Sequence, residues 1–307
     1  MSDKMIVTFL GTSSAPPQAN RSQSSVSIQY RGYNLLVDVG EATQNQMIKN
    51  KISFKNLTIL ITHLHSDHIL GLMGLLSTKG FYNIETPITI IGPPWTNSFI
   101  FLQMLAYRFY PEYEIKVIES EGGIVLSNNE LYIEAFRVQH SNNSLGYKIV
   151  THKPLGTFNV EKAKQKKIPK GKLWKKIQEG FPIDVDNKTL YPSEILDKSS
   201  SKSLKIVITG DTNIDQNVIN NSSGADLLIH DATYPPNETV RAKKYLHSTC
   251  VDAANVAKFA QVKKLALTHI SSLYKNLNES LRATQKIFAE SFFAHDELQI
   301  ILDPKEK

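Results

Sequence analysis

The sequence predicts a layered α/β protein, and three observations predict it. Apolar runs of strand length recur along the chain. Stretches with helical apolar spacing separate many of them. Polar residues able to do chemistry gather directly after the strands. Residues 5–10 form the first run and lead into a Gly-Thr-Ser-Ser loop with two prolines. Residues 25–30 alternate, Arg31-Gly32 turns the chain, and residues 33–37 return, a hairpin pattern. A helix is expected over 42–49, a strand over 57–62, and a helix from near His68 toward Ser77. Residues 87–91 read as a strand closed by Gly92-Pro93-Pro94, and 97–107 have helical spacing. Strands follow at 114–119, 124–126, 131–138 and 146–150. A Ser/Lys-rich linker at 197–203 precedes an apolar strand at 204–209. Strands at 226–229, 264–268 and 298–302, with helices at 247–260 and 280–289, complete the order.

With 41% hydrophobic and 21% charged residues, the 307-residue chain has ample material for a core. The apolar stretch near the start, Met5 to Leu10, is too short for a signal-peptide core. No run approaches the roughly eighteen residues of a membrane helix. Cys250 is the sole cysteine, so no internal disulfide forms, and a reducing cytoplasm is the expected setting. The net charge of +6 is unevenly spread. Lys148 to Gly180 carries ten lysines against two glutamates, more than the whole chain's surplus. By itself such a run reads as a solvated lysine-rich helix face. Trp174 and the turn Pro169-Lys170-Gly171 mark it as an excursion from the core.

The strand ends carry the chemistry. Residues 57–62 run into His63-Leu64-His65-Ser66-Asp67-His68. Later strands are followed by His140, by Asp211-Thr212, by His230-Asp231-Ala232-Thr233 and by His269-Ile270-Ser271. Loops at one end of a layered sheet form a crevice, so these residues can meet. His63 and His65, two apart in an extended segment, point the same way and can grip one ion. Asp67 and His68, where a helix begins, can face a second. A catalytic zinc takes three or four protein ligands, so two ions need more than this cluster offers. His140, Asp211 and His269 supply three further ligands, and a carboxylate between the ions can bridge them. Two such ions would activate a water and clamp a phosphate. Asp38, at a strand end, either orients a metal-holding histidine or caps a turn.

His63-x-His65-x-Asp67-His68 is the signature of the metallo-β-lactamase superfamily, and within it the sequence resembles the ribonuclease Z family, endonucleases that process the tRNA 3′ end. The supporting strings are FLGTSSAPPQANRS, DVGEATQ, THLHSDHILGL, TGDT, LLIHDAT, HST and ALTHIS, spread over residues 9–271. The resemblance implies an αβ/βα four-layer sandwich, a single domain over 1–307 with a protruding basic arm inserted at about 148–182. It implies two Zn2+ per subunit, or other divalent metals: His63, His65 and His140 at one, Asp67, His68 and His269 at the other, Asp211 bridging. Asp67 would also orient the attacking hydroxide, and His247, paired with Asp231, would protonate the leaving 3′ oxygen. Lys164, Lys166, Lys167, Lys170 and Lys172 of the arm would contact tRNA phosphates. Arg21 stands where many bacterial members carry Pro-x-Lys-x-Arg-Asn, a loop that handles the tRNA 3′ end. Here that loop reads Pro17-Gln18-Ala19-Asn20-Arg21-Ser22, and the familiar His-Glu-Ala-Thr reads His230-Asp231-Ala232-Thr233. The expected activity is therefore metal-dependent removal of the 3′ trailer from precursor tRNA by a homodimer, with no membrane partner. Two other readings are a different hydrolase of the superfamily and a catalytically silent RNA-binding relative. The basic segment opposes a small substrate, and the full ligand set opposes a silent relative.

Overall fold

The computed structural model describes residues 3–153, 155–186, 188–197 and 201–305. Residues 198–200 of the expected linker lie outside them. The chain divides into two compact units, Met1–Val150 with Leu204–Leu302, and Thr151–Ser203 with Asp303–Lys307. The strands begin with β1 (Met5–Gly11), β2 (Ser25–Tyr30), β3 (Tyr33–Val37), β4 (Leu57–Leu60), β5 (Ile88–Gly92) and β6 (Ile115–Glu119). Then come β7 (Gly123–Ser127), β8 (Leu131–Arg137) and β9 (Leu145–Thr151). The smaller unit contributes β10 (Thr157–Phe158), β11 (Ile183–Val185), β12 (Lys188–Leu190) and β13 (Leu196–Asp197). The chain continues as β14 (Lys205–Ile208), β15 (Leu227–Asp231), β16 (Leu265–Thr268), β17 (Ser291–Phe293) and β18 (Gln299–Leu302). The helices are α1 (Thr43–Lys49), α2 (Ser66–Ile69), α3 (Leu72–Phe81), α4 (Thr96–Tyr107), α5 (Val160–Gln165), α6 (Lys172–Gln178), α7 (Pro192–Ile195), α8 (Gln216–Ser222), α9 (Thr239–Lys244), α10 (Cys250–Phe259) and α11 (Asn278–Gln285).

The larger unit has two seven-stranded sheets, ordered β18-β1-β2-β3-β4-β5-β6 and β17-β16-β15-β14-β9-β8-β7. The first is antiparallel from β18 to β3 and parallel from β3 to β6. In the second, β14 to β17 are parallel and β9 runs antiparallel to β14. Side chains alternate along a strand, so each sheet buries two faces. Val7, Phe9 and Leu35 of the first sheet share a cluster with Ile149, Ile206 and Ile229 of the second, so the sheets pack face to face. On the far side of the first sheet, Leu36, Ile59 and Ile90 pack with Met47 of α1, Leu75 of α3 and Ile100 of α4. On the far side of the second, Val207, Leu228 and Leu267 pack with Val218 of α8 and Ala253 and Val256 of α10. The order helix, sheet, sheet, helix is the four-layer αβ/βα sandwich that the resemblance implies. Among the described residues no helix is long and apolar enough to cross a membrane.

The smaller unit, which includes most of the lysine-rich segment, has a small core of its own. Ala163, Ile168, Ile177, Ile183, Leu190, Ile195 and Leu196 are buried together. Trp174 Nε1 donates to the Ile168 carbonyl at 3.0 Å, tying α6 to the turn before it. Three of the boundaries that differ from the sequence reading bear on the site. The expected helix 247–260 starts only at Cys250, because Thr249 caps the Asp252 amide while the Asp252 carboxylate takes the Thr249 N–H. His247 therefore stands before the helix. The strand expected at 226–229 runs on through His230 and Asp231, paired with Leu267 and Thr268 of β16. The helix expected from His68 to Ser77 breaks into α2 and α3 at Leu70-Gly71.

That break is a close approach between backbones. Gly71 N–H donates to the Val39 carbonyl at 3.0 Å, and Val39 N–H donates to the His68 carbonyl at 2.7 Å. A Cβ on Gly71 would lie 2.0 Å from the Gly40 carbonyl oxygen. Backbone cannot yield as a side-chain end can, so Gly71→Ala must push α2 and α3 away from the Asp38–Gly40 loop. The expected cost is about 1–3 kcal/mol, read as a melting temperature several degrees lower. A melt superimposable on the wild type would refute the contact's importance.

Candidate metal centre

Both sheets deliver side chains to one place. Asp38 follows β3, Thr62 and His63 follow β4, His140 follows β8, and Asp211 follows β14. Asp231 ends β15 and His269 follows β16. Asp38 and His269 each take a left-handed backbone, with φ of 59°. That region costs a non-glycine residue about 1 kcal/mol or more, and such strain clusters at functional sites.

Two groups of electron-rich atoms result. In the first, His63 Nε2 is 3.0 Å from His65 Nδ1, which is 3.1 Å from His140 Nε2. Asp211 Oδ2 lies 3.7 Å from both His63 Nε2 and His140 Nε2. In the second, His269 Nε2 is 3.1 Å from Asp67 Oδ2 and 3.4 Å from His68 Nε2. Asp211 Oδ2 is also 3.3 Å from His68 Nε2, so it stands between the groups. Nitrogens bound to one tetrahedral zinc at about 2.0–2.1 Å would be roughly 3.3 Å apart. The observed spacings fit that figure.

The hydrogen bonds around the groups decide which nitrogens carry lone pairs. His140 Nδ1 faces the Leu246 carbonyl at 3.0 Å, which can only accept, so this nitrogen donates. His68 Nδ1 donates to Asp38 Oδ2 at 2.7 Å. Thr62 Oγ1 gives its proton to Asp38 Oδ2 at 2.8 Å, so it can accept from His63 Nδ1 at 3.0 Å. The second sheet repeats the arrangement. Thr233 Oγ1 donates to Asp231 Oδ1 at 2.7 Å and accepts from His269 Nδ1 at 2.8 Å. In all four rings Nε2 is left as an unprotonated lone pair facing the centre. Lone pairs and carboxylate oxygens at these distances repel unless a cation lies among them. Among the described residues Asp211 Oδ1 is buried without a hydrogen bond, with His269 Nδ1 3.3 Å away. The residues therefore fit divalent-cation binding.

The electrostatics agree. Burial would raise the carboxyls of Asp67 and Asp211, but the imidazoles of His269 and His68 outweigh it and hold both well below the usual range. Burial lowers the His63 pKa well below its ordinary value and favours the neutral, ligating form. His247 differs. Its Nδ1 is 2.8 Å from Asp231 Oδ2, and Asp231 is fully buried. Burial lowers the His247 pKa, but Asp231, by charge and hydrogen bond, and then Asp211 push it up to about 9. Asp231 thus reaches the ring although it is one methylene shorter than glutamate.

A cleft of about 540 Å³ opens over the groups, lined by His65, Asp67, His140, Asp211, His247 and His269 among others. All seven sequence-selected ligands lie in or beneath it, with Asp38 behind His68. Arg21 does not line it; its guanidinium donates to Thr12 Oγ1 at 2.6 Å and to the Ala294 carbonyl at 2.8 Å. The five selected lysines belong to the smaller unit, where Lys164 pairs with Glu161 at 2.8 Å and Lys166 with Glu194 at 2.5 Å. Sequence reasoning missed Thr62 and Thr233. The available signal was a hydroxyl beside each ligand-bearing string. It also missed the basic, aromatic run Val240-Arg241-Ala242-Lys243-Lys244-Tyr245, which stands just before His247.

Comparison with known proteins places this architecture. The family described as Anti-Pycsar protein Apyc1 matches residues 5–153, a stretch that includes His63, His65, Asp67, His68 and His140. The crystal structure of the short form of human tRNase Z is similar, with a TM-score of 0.70 and 26% identity, covering 96% of this chain and 98% of that one. Ribonuclease Z of Methanosarcina acetivorans is 37% identical over 97% of this chain and 99% of its own length. Ribonuclease Z of Methanothermobacter thermautotrophicus is 37% identical over 95% of each. At that identity over nearly its full length, the chain belongs to the ribonuclease Z family.

Proposed function

We infer that the protein is a divalent-metal-dependent endoribonuclease that removes the 3′ trailer from precursor tRNA and leaves a 3′-hydroxyl on the tRNA. The observation that carries this reading is the Asp231–His247 pair beside two cation-sized groups of His and Asp. One side supplies charge for a phosphate, the other a proton for an alkoxide. His63, His65, His140 and Asp211 would hold one Zn2+, and Asp67, His68, His269 and Asp211 the other. Divalent cations in these positions would supply positive charge to the phosphoryl oxygens and acidify a water. The Asp67 carboxylate, whose Oδ2 accepts the Ala15 N–H at 3.1 Å, would orient the resulting hydroxide, the water's proton being lost to solvent. With Nδ1 committed to Asp231, His247 would deliver the proton on Nε2 to the departing ribose O3′. Lysines of the smaller unit would bind tRNA phosphates without reading sequence. A tRNA substrate and a lone, reduced Cys250 are in keeping with a cytoplasmic enzyme.

A homodimer is also proposed. Helix α4 leaves Phe101, Leu102, Leu105 and Tyr107 exposed. Phe81 and Tyr110 line a neighbouring groove of about 390 Å³ and are themselves exposed. Apolar side chains so concentrated mark an association surface.

Incubation of the purified protein with a labelled precursor tRNA tests the main reading. A metal-dependent cut at the 3′ end of the mature sequence is expected. Hydrolysis of bis(p-nitrophenyl) phosphate alone would instead indicate an enzyme for small substrates. Thr62→Val, which removes the link between Asp38 and His63, should weaken metal binding about 10–100-fold, while Thr62→Ser retains it. Chelator competition reads this directly, and equal affinities for the Val variant and wild type would sink the assignment. His247→Ala should slow precursor cleavage about 10²–10⁴-fold. It should barely affect bis(p-nitrophenyl) phosphate, whose leaving group needs no proton; an equal loss on both substrates would rule out a proton-donor role. Replacing Lys167, Lys170 and Lys172 by Ala should weaken precursor binding and reduce the salt slope by roughly 2. An unchanged slope in filter binding would remove these lysines from the interface. Light scattering should give a dimer mass for the wild type and a monomer mass for Leu102→Glu with Leu105→Glu. A monomeric wild type would refute the dimer.

A further inference from the structure

Hydrolysis makes no use of one wall of the cleft. Tyr234, Arg241 and Tyr245 form it, with Ser271, Ser272 and Leu273 also lining the cleft. The Tyr234 ring meets the His247 ring edge-on, 6.0 Å between centroids, and the Tyr274 ring at 6.3 Å. The Arg241 guanidinium lies 5.7 Å from the Tyr234 centroid, and Lys244 Nζ lies 5.4 Å from that of Tyr245. Tyr245 is 50% exposed and Leu273 62%, so neither is held by the core. Exposed aromatic and apolar faces, interleaved with cations at the mouth of a polar cleft, are what a single-stranded nucleic acid requires. Bases stack on the rings, and the cations meet phosphates.

We propose that this lip binds the nucleotide immediately 5′ of the cut, the last one retained on the tRNA, with its base stacked on Tyr245 and its 5′ phosphate facing Arg241. This rests on the function proposed above. The bond that breaks is P–O3′, and the new bond joins phosphorus to the water oxygen. The electron pair of the broken bond stays on O3′, which takes a proton from His247. That O3′ belongs to the nucleotide 5′ of the cut. Its ribose is therefore held against His247, and the ring of this wall that meets His247 is Tyr234. The base attached to that ribose extends along the same wall, where Tyr245 offers an open face. Because every base has a π-face, such a platform tolerates all four.

The test is a cycle with the full-length enzyme on two precursor tRNAs, one unmodified and one abasic at the nucleotide 5′ of the cut. With wild-type enzyme the abasic precursor should show a KM about tenfold higher, as loss of one stacked base implies. Tyr245→Leu should raise KM for the unmodified precursor by a similar factor and impose no further loss on the abasic one. Tyr245→Phe, which keeps the ring, should restore the wild-type KM. If the two penalties multiply, or Tyr245→Leu leaves KM unchanged, the platform is elsewhere and the proposal fails while the endonuclease reading stands. If the wild type leaves the unmodified precursor uncut, the endonuclease reading fails and this inference with it.

Discussion

The carboxylate of Asp38 is the interaction on which the rest of the site depends. Its Oδ2 takes the Nδ1 proton of His68 and the hydroxyl proton of Thr62, and its Oδ1 takes the Thr62 N–H at 2.8 Å. Through Thr62 it also governs His63. One buried carboxylate thus sets the ring orientation and tautomer of a histidine in each of the two groups. A buried charge costs several kcal/mol unless it is fully paired, and three donors within 2.8 Å pair it. Its left-handed backbone is a further cost that the surrounding loop carries. Val39 and Gly40 are pinned to α2 and α3 by direct backbone contacts, which leaves the loop no room to relax.

Asp231 is the counterpart on the second sheet. It too holds one histidine directly, His247, and one through a threonine hydroxyl, His269. The difference lies in what the directly held ring can do. His68 points its second nitrogen at Asp67, Asp211 and His269, where a cation fits. Neighbouring carboxylates push both rings toward the charged form, but only His247 lines the open cleft, where a proton could reach a leaving group. On the function proposed above, the same pair of residue types would support a ligand in one place and an acid in the other.

Packing makes these distances reproducible. Strands β3 and β4 of one sheet and β14, β15 and β16 of the other are buried on both faces, and they end at the same edge. Close-packed strands hold their ends rigidly, so side chains on different sheets can stay within hydrogen-bond distance. Recognition of a large anion can be left to surfaces that need less precision. Exposed lysines attract phosphate over about a Debye length of 8–10 Å, and the ion pairs at Lys164 and Lys166 are of the weak, solvent-screened kind.

By itself the sequence determined the layered α/β class, because strand and helix periods are written locally in the order of apolar residues. It also singled out the residues that the structure gathers as candidate ligands. His63, His65, Asp67 and His68 sit on one short segment whose spacing reports its own geometry, and His140, Asp211 and His269 each follow a recognisable apolar run. Tertiary structure alone decided the rest. That Thr62 and Thr233 relay carboxylates to His63 and His269 depends on side chains meeting across strands, and no period along one strand records it. That α2 ends at Ile69 follows from a backbone about 30 residues earlier in the chain, where Gly40 crosses Gly71. That Arg21 faces Thr12 and Ala294 rather than the cleft follows from how the first loop packs against residues near 294–296. In each case the deciding partner is distant in sequence, and only sheet register and layer packing bring it within reach.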